Sequence, residues 1–275
     1  MTTIASLGAG NIARAIMAGL IENGADPASL ITFDPSAECC EQASALGVSV
    51  AMSNDQAVQE AEAILICVKP NVVTELLQAL KAPVTGKLLI SVAAGITIST
   101  IQDATSSQGT RTAPGAPAII RCMPNTPALV KTGMTALYAN SEVAIPHREA
   151  AESIMNAVGR TLWVEHEADL DAVTAVSGSG PAYFFLLMES MIKAAIAEGL
   201  TREAATALVL QTALGSAKMA LDNVNSPEVL RKQVTSPGGT TAAAIERFLA
   251  NNFESIVAES ISAAKIRSIE LSKPE

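Results

Sequence analysis

The chain predicts an α/β fold in two parts: a doubly wound parallel sheet over residues 1–165, then an all-helical part over 166–275. Three observations carry this. Short β-rich runs alternate with Ala-rich helical runs through the first half. The period changes near residue 165, after which no strand-like run occurs. A glycine loop, Gly8-Ala9-Gly10, joins the first strand to the first helix.

In order, 3–8 reads as a strand ending in Gly, and 11–24 as a helix stopped by Gly24. Strands follow at 30–34 and 48–51, with helices at 37–47 and 54–61. "AILICVK" (63–69) is almost continuously apolar, as a central parallel strand buried on both faces must be. A helix at 71–80 leads to another buried strand at 87–94. Later strands are read at 118–125, 133–140 and 160–166. Beyond them, 168–200, 201–223, 226–234, 239–252 and 253–272 read as helices, with Thr201 and Ser226 as N-caps. The stretch 204–220 offers few charges to a solvent face, so these helices are expected to pack against a second subunit.

Composition narrows the function. The net charge is −9 and both halves are mildly acidic, which argues against nucleic acid and anionic membranes as partners. Mean hydropathy is +0.33. No apolar run reads as long enough to cross a bilayer, since 182–200 is interrupted by Glu189 and Lys193. The N-terminal residues show no basic region or cleavage site, and a cytoplasmic location is expected. Cys39, Cys40, Cys67 and Cys122 form no C-x-x-C pair. With only His147 and His166 beside them, no metal site is expected, and both histidines read as surface residues.

Gly8, Gly10 and Ala13 keep the G-x-G-x-x-A spacing between a strand and a helix. The first Gly makes the turn, the second lets backbone approach a pyrophosphate, and Ala13 allows close helix packing. This is the Rossmann-type fingerprint of a dinucleotide site. Asp34 ends the second strand, where an acid accepts ribose hydroxyls and disfavours a 2′-phosphate; no Arg or Lys occurs from 34 to 50. Ser36, through its hydroxyl and N–H, is a rival holder of such a phosphate. Asn11 and Ile12 complete the loop. Val68, Lys69 and Pro70 stand at the carboxyl end of a central strand, and Ala94 ends the next with small residues.

A second glycine loop, "VTSPGGTT" (234–241), interrupts the helical part. Small residues opening a helix leave N–H groups aimed at one spot, which suits either an anion or a simple capped turn. In "SGSGPAYFF" (177–185), Gly178 and Gly180 suit close packing and Pro181 a first helical turn; Ser179 reads as a cap or a substrate contact. Asn125, between Pro124 and Pro127, reads as a turn residue or a contact to nicotinamide or substrate.

Together "GAGNIARAI", "VKP" (68–70), "MPNTP" (123–127), "SGSGPAYFF" and "VTSPGGTTAAAI" resemble the pyrroline-5-carboxylate reductases nearly end to end. The resemblance implies reduction of the cyclic imine Δ1-pyrroline-5-carboxylate to L-proline by NADPH or NADH, in a homodimer formed by the helical part. It implies that N–H groups of Gly239, Thr240 and Thr241 hold the substrate carboxylate and that the Thr241 hydroxyl lies near the ring nitrogen. It places Glu167 near substrate, adds Asn54 to the cofactor contacts, and brings the position of Gln233, often Asn in relatives, to the cofactor from the partner subunit. Asp34 departs from the small or polar residue common in NADPH-preferring members, which opens the choice of cofactor.

Two other classes stay open on the residues alone. A β-hydroxyacid dehydrogenase or broader imine reductase shares this layout, but the former needs a base, usually Lys on a G-x-x-x-K turn, and Lys193 lacks that context. A non-catalytic nucleotide sensor would have no use for the intact "SPGGTT".

Overall fold

A computed structural model of the chain describes residues 2–106 and 117–272. Period-two burial builds its first part. In β1 (Ile4–Leu7), β4 (Ala63–Ile66), β5 (Leu88–Ser91) and β6 (Ala118–Met123), one residue set packs into a core that includes Ile4, Leu65, Ile90 and Ile120. The alternate set, with Leu7, Ile64, Ile66, Leu89 and Ile119, packs into a second core. Each large side chain fully buried this way contributes roughly 1.5–3 kcal/mol, so these strands form a rigid platform.

With β2 (Leu30–Phe33), β3 (Ser49–Val50), β7 (Gly133–Ala139) and β8 (Gly159–Trp163) they make one eight-stranded sheet, ordered β3-β2-β1-β4-β5-β6-β7-β8. The order reverses between β1 and β4, so the carboxyl ends of those strands flank a crevice where such sheets bind ligands. The expected all-parallel pairing is corrected at one place: β6 and β7 are antiparallel. Parallel neighbours need a crossover of about a dozen residues or more, and the short stretch from Met123 to Gly133 holds only a 3-10 turn, Thr126–Val130. The longer connection to β8 contains a helix and restores parallel pairing.

Helices α1 (Asn11–Glu22), α2 (Ala37–Ser44), α3 (Asn54–Glu60) and α4 (Pro70–Ala79) lie where the sequence places them. Two others, α5 (Ile98–Ser106) and α6 (Ile145–Asn156), were not expected. Ser and Thr weaken the local signal of α5, whereas α6, with Pro146 in its first turn and Arg148-Glu149-Ala150-Ala151-Glu152 after it, carries a helix signal that the reading passed over. Their buried Ile101, Ala104, Ala151, Ile154 and Met155 stabilise them through packing.

The remaining helices are α7 (Asp169–Val173), α8 (Gly180–Ala197), α9 (Arg202–Asp222), α10 (Pro227–Gln233), α11 (Thr240–Ala250) and α12 (Phe253–Leu271). Thr201 and Ser226 accept N–H bonds from Ala204 and Val229, as N-caps should. The compact units divide later than the change of period near 165. One holds the chain up to Ser179 together with the end from Ala264, and the other is Gly180–Ala263. In the first unit, the Ser268 hydroxyl donates to Asp171 Oδ1 at 2.6 Å, tying the end of α12 to α7.

The helical spans Asp169–Ala197 and Arg202–Asp222 are long and apolar enough to cross a membrane by length and composition, which corrects the reading that no run suffices. The helix does not stop at the glycines: a π turn, Thr174–Gly178, carries it from α7 into α8. Glu189 and Lys193, the interrupting charges, pair with each other one turn apart.

Cys122 is buried in β6 and Cys67 follows β4. Burial pushes the Cys67 thiol up to about 12, opposed by a hydrogen bond with Ser6. Burial, with the neighbouring Cys67, raises Cys122 further. Both stay protonated at neutral pH, and the thiolate is the nucleophile. Iodoacetamide at pH 8 should therefore modify Cys39 and Cys40 in the native protein and spare both the buried Cys122 and Cys67, which is half-buried like the first two but holds its proton, read by peptide mass spectrometry. Because the folded thiols hold their protons more tightly than unfolded ones, they favour the fold at lower pH, and that contribution falls as pH rises above the ordinary thiol range.

Candidate active site

The carboxyl end of β1 opens into the glycine loop. Gly8 has φ +98°, and an added Cβ would lie 3.0 Å from the Cys67 carbonyl oxygen and from Val68 Cγ1, so only glycine fits. Gly10 is the N-cap of α1 in extended conformation with no side-chain cap. A Cβ there would meet nothing within 4 Å. The first N–H groups of α1, including those of Asn11 and Ile12, thus face an open approach, the arrangement a pyrophosphate requires. Val68, half-buried, and Lys69 and Pro70, both exposed, follow β4 across the crevice; Lys69 is the N-cap of α4. Ala94 is exposed in the turn after β5.

Asp34 is placed as expected, at the end of β2, but its carboxylate is already engaged. Oδ2 accepts the Ala9 N–H at 2.9 Å and Oδ1 accepts the Ser36 N–H at 2.9 Å. Ser36, read as a rival holder of a 2′-phosphate, is tied to the same carboxylate. Its N–H is committed to Asp34, and its hydroxyl caps α2 by accepting from Cys39 N. Asn54, at the start of α3, has a buried Oδ1 with no hydrogen-bond partner. An orphan acceptor of this kind costs about 1–3 kcal/mol, a cost removed when a hydroxyl donates to it. The open Gly10 and the unmatched Asn54 both fit a dinucleotide with ribose hydroxyls.

Glu167 precedes α7. Its Oε1 accepts from Ile98 N, at the start of α5, at 2.7 Å and from Arg121 Nη1, in β6, at 2.8 Å. Arg121 is 9% exposed. Sequence reasoning missed it, although an Arg inside the apolar run "AIIRCM" was the available signal, because a charge so placed must be paired. Asn125 is tied on both sides of its amide: Nδ2 donates to the Ser177 carbonyl and hydroxyl at 3.2 Å, and Oδ1 accepts from Met134 N at 2.9 Å. It thereby holds the π turn that precedes the half-buried Ser179. A Cβ at Gly178 would lie 2.5 Å from Met123 Cε, the movable end of a flexible side chain. A π turn in a helix often marks a functional position.

Gly239, Thr240, Thr241 and Gln233 belong to the other unit. Gln233 is exposed at the end of α10. Gly238 has φ +69° and makes the turn, and Gly239 is the N-cap of α11, again with no side-chain cap. The Gly239 N–H, read as a carboxylate holder, donates here to the Ser236 carbonyl at 3.0 Å, closing its own turn. The Thr240 and Thr241 N–H groups open α11, and Thr241 is half-buried. His166 is exposed and His147 half-buried, its Nδ1 accepting from Ala144 N.

Comparison with known proteins gives the family. Residues 167–271 match the family model for pyrroline-5-carboxylate reductase dimerisation, and residues 3–95 match that for coenzyme F420-dependent NADP oxidoreductases. The chain is 44% identical to the pyrroline-5-carboxylate reductase of Pseudomonas aeruginosa, over 98% of this chain and 97% of that protein. The structure of such a reductase from Coxiella burnetii superposes with a TM-score of 0.92 at 39% identity, covering 99% of each chain. The Plasmodium falciparum enzyme, solved with NADP bound, gives 0.85 at 28% identity, covering 99% of this chain and 98% of that one. With a dinucleotide loop at β1, a glycine loop opening α11 without a side-chain cap, and this full-length kinship, the chain belongs to the pyrroline-5-carboxylate reductase family.

Proposed function

We infer that the chain reduces Δ1-pyrroline-5-carboxylate to L-proline, the last step of proline biosynthesis, using NADPH or NADH. The uncapped start of α11 inside "SPGGTT" carries the substrate assignment: two N–H groups, of Thr240 and Thr241, suit a carboxylate in the field of a helix N-terminus. Gly8, Gly10, Asn11, Ile12, Asp34, Asn54, Val68, Lys69, Pro70 and Ala94 hold the cofactor, which when bound supplies the hydride. The family relationship adds Gln233 to that set. A protonated imine already accepts hydride, so the protein's own contribution is positioning and electrostatics rather than a strong acid. Thr241 orients the ring nitrogen through its hydroxyl. Glu167, held by Arg121, presents negative charge on the substrate side, where it favours the iminium form. Ser179 and Asn125 shape the wall that the π turn forms. Oxidation of NADH and NADPH dependent on pyrroline-5-carboxylate, with proline-dependent reduction of NAD⁺ or NADP⁺ at high pH, tests the assignment; activity on hydroxyacids alone would overturn it.

The dimerisation match and the exposed Phe184, Phe185, Leu186, Leu208 and Leu214 support a homodimer through the helical part. Sedimentation at micromolar concentration should give a dimer or a larger multiple, and a monomer would refute it. Four free thiols suit a reducing cytoplasm.

Cofactor preference follows from Asp34. Turning away to admit a 2′-phosphate would break its bond to Ala9 N. Asp34→Ser should shift the ratio of kcat/KM toward NADPH by about tenfold while weakening both cofactors, measured by steady-state kinetics with each. A ratio that stays put or moves toward NADH removes Asp34 from ribose recognition.

A further inference from the structure

The cofactor loop is held on two sides at one residue, and one of the two holders, Arg14, is assigned no role by the glycine spacing. Ala9 is fully buried. Its N–H donates to Asp34, and its carbonyl accepts from Arg14 Nη1 at 2.6 Å. The other arm of the same guanidinium, Nη2, donates to Asn11 Oδ1 at 2.7 Å. Arg14 is half-buried on the second turn of α1 and reaches back over the loop that precedes its own helix.

The loop needs such support. Gly8 and Gly10 flank Ala9, and glycine backbone loses the most freedom on ordering. No side chain caps α1 at Gly10, so the direction of its first N–H groups depends on the loop alone. A guanidinium offers two donors in a rigid plane, and one plane can fix a carbonyl and a side-chain oxygen together.

We propose that Arg14 is a positioning residue for the cofactor: with Asp34 it clamps Ala9 and so aims the N–H groups that receive the pyrophosphate. The proposal rests on the reading of Gly8–Ala13 as the dinucleotide loop. Arg14 acts through the loop and not on the 2′ position, so its loss weakens NADH and NADPH alike, whereas Asp34→Ser separates them.

The test uses the full-length protein. Dissociation constants for NADH and NADPH are measured by calorimetry for wild type, Arg14→Ala and Arg14→Lys, at low and high KCl. Arg14→Ala should bind both cofactors about tenfold more weakly, by the same factor at each salt concentration. Arg14→Lys, whose single ammonium lacks the fork, should recover only part. Without any cofactor, hydrogen exchange in a peptide containing Ala9 should be faster in Arg14→Ala, with the urea midpoint reported by Trp163 unchanged. If wild type binds but Arg14→Ala binds equally well, or the loop exchanges at the wild-type rate, Arg14 does not position the loop. A loss that vanishes at high KCl and is restored in full by Lys means direct pairing with phosphate, which overturns the clamp. Wild type that binds neither cofactor overturns the reading of the loop itself.

Discussion

Replacing Arg121 with Met should destabilise the sheet unit by about 1–3 kcal/mol and depress turnover with it. The substitution keeps length and apolar stem but leaves the Glu167 carboxylate, in a partly buried place, without its countercharge. Removing one partner of a buried pair costs far more than removing both, since the survivor is left desolvated and unpaired. Glu167 keeps only the Ile98 N–H, and its Oε1 sits on three segments at once: β6 through Arg121, the start of α5, and the approach to α7. Trp163, the chain's single tryptophan, lies in β8 and reports unfolding of this unit in urea. The double variant with Glu167→Gln should regain a large part of the stability, because it removes the stranded charge. It should not regain activity if Glu167 acts on the substrate side. A single variant as stable as wild type would show that the pair is not holding these segments.

Thr241→Ala should fold normally and lose about 2–4 kcal/mol of transition-state stabilisation, read as a fall in kcat/KM of roughly thirtyfold to a thousandfold. The hydroxyl sits at the second residue of α11, a helix whose N-cap is the backbone of Gly239, so no capping bond is lost with it. Alanine has high helix propensity, which keeps the scaffold intact. The N–H groups of Thr240 and Thr241 survive the change. Substrate should therefore still bind, and the loss should appear mainly in kcat. Thr241→Ser should recover most of it. Unchanged kinetics would remove Thr241 from the mechanism, and an equal loss of urea stability would make it structural.

How much was legible beforehand differs between the two centres. The cofactor loop is local: its glycines, the strand before it and the helix after it are consecutive, so spacing alone located it. The start of α11 is local as well. Arg121 with Glu167, Asn125 with Ser177, and Arg14 with Ala9 are hydrogen bonds whose partners no spacing rule announces. The same holds for what the residues already do. Asp34 is where the strand end predicted, yet its oxygens are spoken for by Ala9 and Ser36, and the Gly239 N–H closes its own turn. Occupancy of a donor or acceptor depends on what folds against it.

The sequence by itself determined the two-part architecture, the sheet's buried strands, the dinucleotide loop and the glycine turn that opens α11. These follow from periodicity, glycine spacing and local capping, which act over a few residues. Only the tertiary structure decided the reversed β6–β7 pair, the existence of α5, the π turn that carries α7 into α8, and the pairing of Arg121 with Glu167. The β6–β7 reversal follows from the short connection between those strands, and the rest depend on contacts between segments distant in the chain, where packing and desolvation outweigh local propensity.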